Sequence, residues 1–281
     1  YEPANFIDSW SKEFNDVIKF PEGRCTAFIG DRGGHKSHLG YTHILHRLNN
    51  FDEAGLIISL REDEGMTKDT MQQILQEELR YSEIVGNNQL NMFENSNRLE
   101  ILYFPPGYIT PEEFFHRVFM SIHRLNRSGR KLTVLFNSLD QLSARFPLCA
   151  KQEIFIPGII EALSGEDITS IFIAVDEQGQ PIQQYGLLPM ADLILSFSRH
   201  QFTFEDYYNH VNDAWNLEQE ALQKRTEKLK KQYARSLREE IVIQVVRFAG
   251  GKKGGARGIL ELANANNLEN EVFNRPGLHF T

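Results

Sequence analysis

The chain has 281 residues, of which 41% are hydrophobic and 24% charged, a composition typical of a globular protein with one large α/β domain or two small ones. Its formal net charge of −8 argues against a protein whose main role is to bind a nucleic-acid backbone. No apolar run approaches the ~20 residues that a membrane-spanning helix needs, so we expect a soluble, cytoplasmic protein.

Short apolar strands alternate with helices over residues 24–197. The first elements are predicted as strand 24–30 (RCTAFIG), helix 36–50, strand 54–60 (AGLIISL), one polar helix over 67–85, and strand 98–104. Pro111 begins the next helix and Gly129 closes it. Further strands are predicted at 131–137 (KLTVLFN), 168–175 (ITSIFIAV) and 191–197 (ADLILSF). This alternation indicates βαβ units and a mostly parallel sheet.

Residues 205–240 interrupt this alternation with a stretch that contains neither glycine nor proline and favours a long helix. Its apolar positions at heptad spacing are Tyr208, Trp215, Leu222 and Leu229. Such a stripe is too narrow for a central core, and the end of the segment is basic, so we expect it to serve association with a second copy or an acidic partner. A strand (239–248), a basic glycine-rich loop (249–258) and a final strand-like run (259–263) are predicted after it.

The stretch GDRGGHKS, residues 30–37, nearly matches the phosphate-binding pattern G-x-x-x-x-G-K-[ST]. Such a loop surrounds an anion with backbone N–H groups and a helix N-terminus, while lysine adds a positive charge. His35 occupies the position of the second glycine, and its imidazole either points away from the phosphates or touches them. We expect Lys36 to sit at a solvent-lined loop rather than in the core. The plain alternative is a glycine-rich turn before a helix.

In their order and spacing, five segments resemble the RecA/KaiC-type P-loop ATPases, and KaiC-like proteins in particular. These segments are FPEGRCTAFIGDRGGHKS, EAGLIISLRED, KLTVLFNSLDQL, ITSIFIAV and LPMADLILSF. The resemblance implies a three-layer α/β fold over residues 1–281 as a single domain, with 205–240 as a helical insertion, and ATP as the ligand. It implies nucleotide contacts for Gly30, Asp31, Arg32, Gly33, Gly34, His35, Lys36, Ser37 and His38.

The residues that the family uses for hydrolysis are altered here. The resemblance implies a Mg²⁺ hydroxyl at Ser37 and a second Mg²⁺ position at Asn137, where the family has aspartate. The family's pair of glutamates reads Arg61 and Glu62, which leaves Glu62 as the candidate that prepares water. Asp63 and Glu64 are alternatives just beyond it. Asp140 is a further catalytic candidate, although a carboxylate in the first turn of a helix also fits its position.

A family pair of basic residues on a late strand is also incomplete, because Arg247 is followed by Ala249. Lys252, Lys253 and Arg257 in the glycine-rich loop either compensate or lie on a solvated surface. Three altered elements together predict ATP binding with reduced or lost hydrolysis. Two alternatives remain open: an active ATPase that uses Glu62 and Asp140, and a nucleic-acid module that uses the basic residues of 224–238.

The histidines and cysteines do not form a convincing metal site. His35, His38, His43 and His46 are spread along a predicted helix, so at most two of them could share an ion. Cys25 and Cys149 lack ligand spacing, and we expect both to be buried and reduced. The chain begins with Tyr1 rather than methionine, which predicts a piece of a longer protein.

Overall fold

Buried strands form one large sheet at the centre of the protein. The computed structural model describes residues 6–7, 20–77, 83–107, 109–127, 129–151, 153–175, 186–203, 237–248, 257–261 and 278–280. The strands are β1 (Phe6–Ile7), β2 (Phe20–Pro21), β3 (Cys25–Gly30), β4 (Ala54–Ser59), β5 (Leu99–Tyr103), β6 (Leu132–Asn137), β7 (Thr169–Ile173), β8 (Leu193–Thr203), β9 (Leu237–Phe248), β10 (Arg257–Glu261) and β11 (Leu278–Phe280). Among the described residues, the sheet has nine strands in the order β11-β10-β9-β8-β3-β7-β6-β4-β5.

The six strands from β8 to β5 in that order pair in parallel, whereas β9, β10 and β11 extend the sheet with antiparallel pairs. Every residue of β4 and of β6 is buried, as expected where helices cover both faces of a parallel sheet. The helices are α1 (Lys36–Asn50), α2 (Glu64–Glu77), α3 (Glu83–Asn95), α4 (Pro111–Asn126), α5 (Gln141–Arg145), α6 (Pro147–Ala150), α7 (Phe155–Gly165) and α8 (Leu187–Met190).

Two apolar layers cover the sheet, one on each face. Helices α1, α2 and α3 pack with Ile57, Leu135 and Ile171 of the central strands. Helices α4 and α7 pack on the opposite face, where the neighbouring strand residues Ile58 and Phe136 point. Because side chains alternate along a strand, one apolar run serves both layers. The predicted three-layer, mostly parallel α/β fold is confirmed.

The polar helix predicted over 67–85 differs from the structure, which has α2 and α3 with residues 78–82 outside the description. Helix α2 begins earlier, because the Asp63 carboxylate accepts a hydrogen bond from the Met66 backbone N–H at 2.9 Å. Helix α3 runs on past the GNN sequence at 86–88, where the pattern predicted an end. Buried Leu90 and Phe93 hold it against the sheet, so packing overrides low helix propensity.

The segment predicted as a helix over 205–240 lies mostly outside the described residues. Its last four residues, 237–240, belong to β9, so the predicted boundary is too late. Thr203 at the end of β8 pairs with Leu237 at the start of β9, and therefore the chain leaves and rejoins the sheet at adjacent points. Strand pairing satisfies the backbone of 237–240, although its composition alone favours a helix. The heptad residues and the loop lysines Lys252 and Lys253 also fall outside the description.

Both cysteines are buried and unpaired, as predicted.

No helix of the described part of the chain is long and apolar enough to cross a membrane. Phe6–Ile7 and Phe20–Pro21 form a small separate antiparallel pair.

A buried histidine predicts how stability depends on pH. His43 of α1 is fully buried, and its ring centroid lies 4.3 Å from that of Phe20. Burial, reinforced by the charge of Arg47, lowers the pKa of His43 from 6.5 to about 3. The folded state therefore holds a neutral ring while the unfolded chain takes up a proton below its ordinary pKa, so stability falls as the pH drops. We expect this group alone to cost about 2 kcal/mol of unfolding free energy between about pH 7 and about pH 5.

Urea unfolding at the two pH values, compared with His43→Leu, measures this contribution. Leucine fills a similar apolar volume and cannot titrate, so the variant should lose about 2 kcal/mol of the pH dependence. Equal pH dependence in both proteins would show that His43 protonates without penalty in the folded state.

Candidate functional site

The glycine-rich loop joins β3 to α1 at the edge of the sheet where the parallel strands end. Beside it lies a cavity of about 350 Å³. Its lining comprises Arg32, Gly33, Gly34, His35, Lys36, Ser37, His38, Tyr41, Arg61, Glu62, Thr70, Ser138, Ile173 and Val175. The predicted residues 32–38 therefore surround one cavity, at the edge where ligands of open α/β sheets bind.

Gly30 fixes the point at which the loop leaves the sheet. Its φ of 122° belongs to a region that side chains rarely adopt. A Cβ atom at this position would lie 1.9 Å from the carbonyl oxygen of Phe197 on β8. The next residue, Asp31, donates its backbone N–H to the same oxygen at 3.0 Å. Only glycine fits this close approach. Gly30 and Asp31 were predicted to contact the nucleotide, but neither is among the residues that line the cavity.

Lys36 lies inside the loop rather than on its surface. The residue is 4% exposed, and its Nζ donates to the carbonyl oxygens of Gly30 at 2.9 Å and Asp31 at 2.5 Å. The expectation of a solvent-lined lysine was therefore wrong, because a buried ammonium needs the loop carbonyls as partners. Its ammonium group therefore links the two loop carbonyls, and the residue also lines the cavity.

His35 adopts the left-handed conformation for which glycine is favoured. Its φ is 51° and its ψ 20°, and it directly precedes α1. The side chain is exposed, with its ring centroid 5.9 Å from that of His38. The backbone thus takes the shape that the missing glycine would take, at a cost in conformational strain.

We expect His35→Gly to raise the unfolding free energy by about 0.5–1 kcal/mol, since relief of left-handed strain outweighs the greater freedom of unfolded glycine. It should also tighten nucleotide binding by removing a side chain from the cavity. Asn97→Gly is the matched control, because Asn97 also has a φ of 51° but lies outside this cavity. Thermal melts and a fluorescent ATP-analogue titration measure both effects. If both variants alter binding equally, the histidine side chain has no specific role there.

A chain of hydrogen bonds connects the loop to the end of β6. Ser37 Oγ donates to Asn137 Oδ1 at 2.8 Å, and Asn137 Nδ2 donates to the Tyr41 hydroxyl at 2.6 Å. The structure therefore brings together the two predicted Mg²⁺ positions, which are 100 residues apart in the chain. Asn137 is buried beneath Ser37, outside the cavity lining.

Tyr41 is a site residue that the sequence analysis missed. Its hydroxyl accepts the hydrogen bond from Asn137, and it lines the cavity together with Glu62. Burial, followed by the negative charge of Glu62, raises the pKa of Tyr41, so the phenol stays protonated. The signal was present in the sequence, since Tyr41 lies four residues after Ser37 and shares its helix face.

The remaining predicted acids are not gathered at the cavity. Asp63 caps α2, and Glu64 forms an ion pair with Lys68 at 2.7 Å. Asp140 precedes α5 outside the lining, where its Oδ2 accepts from Gln141 Nε2 at 2.6 Å. Glu62 is the one carboxylate among the described lining residues. Arg61, which precedes it in the chain, also lines the cavity and is exposed.

These donors do not fit a Mg²⁺ ion held by protein charge. Mg²⁺ prefers carboxylate and phosphate oxygens. Ser37 and Asn137 offer two neutral oxygens, and Glu62 is the one carboxylate among the described lining residues, with the Arg61 guanidinium next to it in the chain. Across the described residues, no group of three or more His, Cys, Asp or Glu could hold a metal ion.

Comparison with known proteins identifies the fold. No family model and no curated protein matches the sequence. The structure is similar to that of a KaiC-like protein from the hyperthermophilic archaeon Pyrococcus horikoshii, with a TM-score of 0.65 and 13% identity. The similarity covers 99% of this chain and 100% of the other. It confirms the RecA/KaiC-like fold predicted from the sequence.

Proposed function

We propose that this chain is a nucleotide-binding domain that holds ATP at the loop Gly30–Ser37 and hydrolyses it slowly or not at all. The observation that carries the proposal is the arrangement of Lys36, Ser37 and the loop backbone around one cavity at the N-terminus of α1. The RecA/KaiC-like fold supports it, because this edge of the sheet is where such folds present a phosphate-binding loop.

The electrostatics of the loop favour an anion. The first turn of α1 contains no acidic residue, and the first turn of any helix presents backbone N–H groups without partners inside the helix. Lys36 adds a positive charge from within the loop, and Arg32 and Arg61 line the same cavity. Together these groups suit the phosphates of a nucleotide.

The same geometry argues against rapid hydrolysis. Glu62 is the one carboxylate among the described lining residues, and Arg61 lies next to it in the chain. Asn137 cannot ionise, and Asp140 is not among the residues that line the cavity. A base that accepts a proton from water must reach that water, and each missing charge is typically worth several kcal/mol of transition-state stabilisation. We therefore assign the domain a regulatory or assembly role, with residues 205–236 as the expected contact to a second copy or another protein.

Two measurements on the unaltered protein test this function. Titration with a fluorescent ATP analogue should show saturable binding that unlabelled ATP displaces, and phosphate release should stay near the rate of ATP in buffer. Absence of binding would overturn the proposal. Rapid turnover that Lys36→Ala abolishes would support the active-ATPase alternative, in which Glu62 acts on water. Salt-dependent binding of DNA or RNA without ATP binding would favour the nucleic-acid alternative.

A further inference from the structure

The cavity carries more positive than negative charge. Its lining contains three cationic side chains, Arg32, Lys36 and Arg61, and two histidines. Glu62 is the one carboxylate among the described lining residues. Arg61 is exposed and stands at the position where the resemblance implies a glutamate. An ATP molecule without a metal ion carries about four negative charges, which three cationic side chains and a helix N-terminus largely neutralise.

Hydrogen bonds orient Asn137 so that it can do little for a cation. Its amide nitrogen donates to the Tyr41 hydroxyl, which turns its oxygen towards Ser37. The buried Tyr41 hydroxyl accepts from this amide, and the negative charge of Glu62 lies near enough to raise the pKa of Tyr41. Tyr41 is in this sense a positioning residue, because it holds the amide of Asn137.

We propose that this site binds ATP as the metal-free polyphosphate, with Arg61 and Lys36 neutralising the phosphates in place of Mg²⁺. The inference rests on the nucleotide-binding function proposed above and specifies the form of the ligand. A carboxylate near the phosphates would favour the Mg²⁺ complex, whereas a guanidinium competes with the ion for the same oxygens. Arg61 stands where the resemblance implies a glutamate, and Asn137 where it implies an aspartate. Both differences therefore favour the metal-free nucleotide over its Mg²⁺ complex.

The experiment is a titration of the unaltered protein with a fluorescent ATP analogue, once in EDTA and once in excess Mg²⁺. We expect the affinity in EDTA to equal or exceed that in Mg²⁺. Arg61→Ala should lower the affinity in EDTA by about tenfold, the usual size of one charge-assisted contact. Arg127→Ala, an exposed arginine outside the cavity, is the matched control and should leave affinity unchanged.

Asn137→Asp combined with Arg61→Glu should reverse the preference, so that Mg²⁺ raises affinity at least about tenfold. Arg61→Ala keeps the test decisive if this buried double change prevents folding, because Arg61 is exposed. Affinity of the unaltered protein that rises tenfold with Mg²⁺ overturns the inference while the nucleotide function stands. An Arg61→Ala affinity in EDTA equal to that of the unaltered protein also overturns it. Absence of binding in both solutions overturns the function itself.

Discussion

Replacing Lys36 with alanine is expected to lower the affinity for ATP by about 100-fold or more. Loss of one partner from a desolvated charge pair typically costs about 2–5 kcal/mol, and Lys36 is the buried cation of the loop. The protein should remain folded but become less stable by about 1–2 kcal/mol, since the carbonyls of Gly30 and Asp31 lose their donor. Titration beside thermal melting separates the two effects.

Two further variants make this result specific to the charge. Lys36→Met retains most of the apolar stem and removes only the ammonium, so it should reproduce the loss of affinity. Lys151→Ala changes an exposed lysine outside the cavity and should alter neither binding nor melting. A folded Lys36→Met protein that binds ATP with unchanged affinity would remove the loop from the site.

The parts of the fold that sequence patterns predicted are those that neighbouring residues determine. Buried strands such as β4 and β6 read as continuous apolar runs, and the order of strand, loop, Lys36, Ser37 and helix is local. For this reason the central sheet and the order of strand, glycine-rich loop and helix could be predicted.

The parts that could not be predicted depend on contacts between distant segments. The bond from Ser37 to Asn137 joins residues 100 apart, and the placement of Glu62 beside Tyr41 depends on how α1 packs against β4. Residues 237–240 have a helical composition but join β9 because β8 offers a partner. Lys36 looked solvent-lined because the loop carbonyls that bury it come from backbone, which has no signature in the sequence.

The largest expected loss of stability comes from Gly30→Ala, because the change combines an unfavourable backbone conformation with a backbone clash. Gly30 pairs with Phe197 at the end of the parallel ladder, and an added Cβ would lie 1.9 Å from the Phe197 carbonyl oxygen. Since β8 must move or the loop must change its φ of 122°, we expect a loss of about 3 kcal/mol or more.

Gly129→Ala is the control for a positive φ without a steric clash. Gly129 also has a positive φ, of 68°, but nothing lies within 4 Å of an added Cβ, so this variant should lose only about 1 kcal/mol. Urea unfolding measures both values. Equal losses would mean that the junction of β3 and β8 adapts freely, and the loop would then owe its position to Lys36 and α1 alone. A clearly larger loss for Gly30→Ala means that the close approach to β8 holds the glycine-rich loop in place, which is the condition for the preformed nucleotide site that we propose.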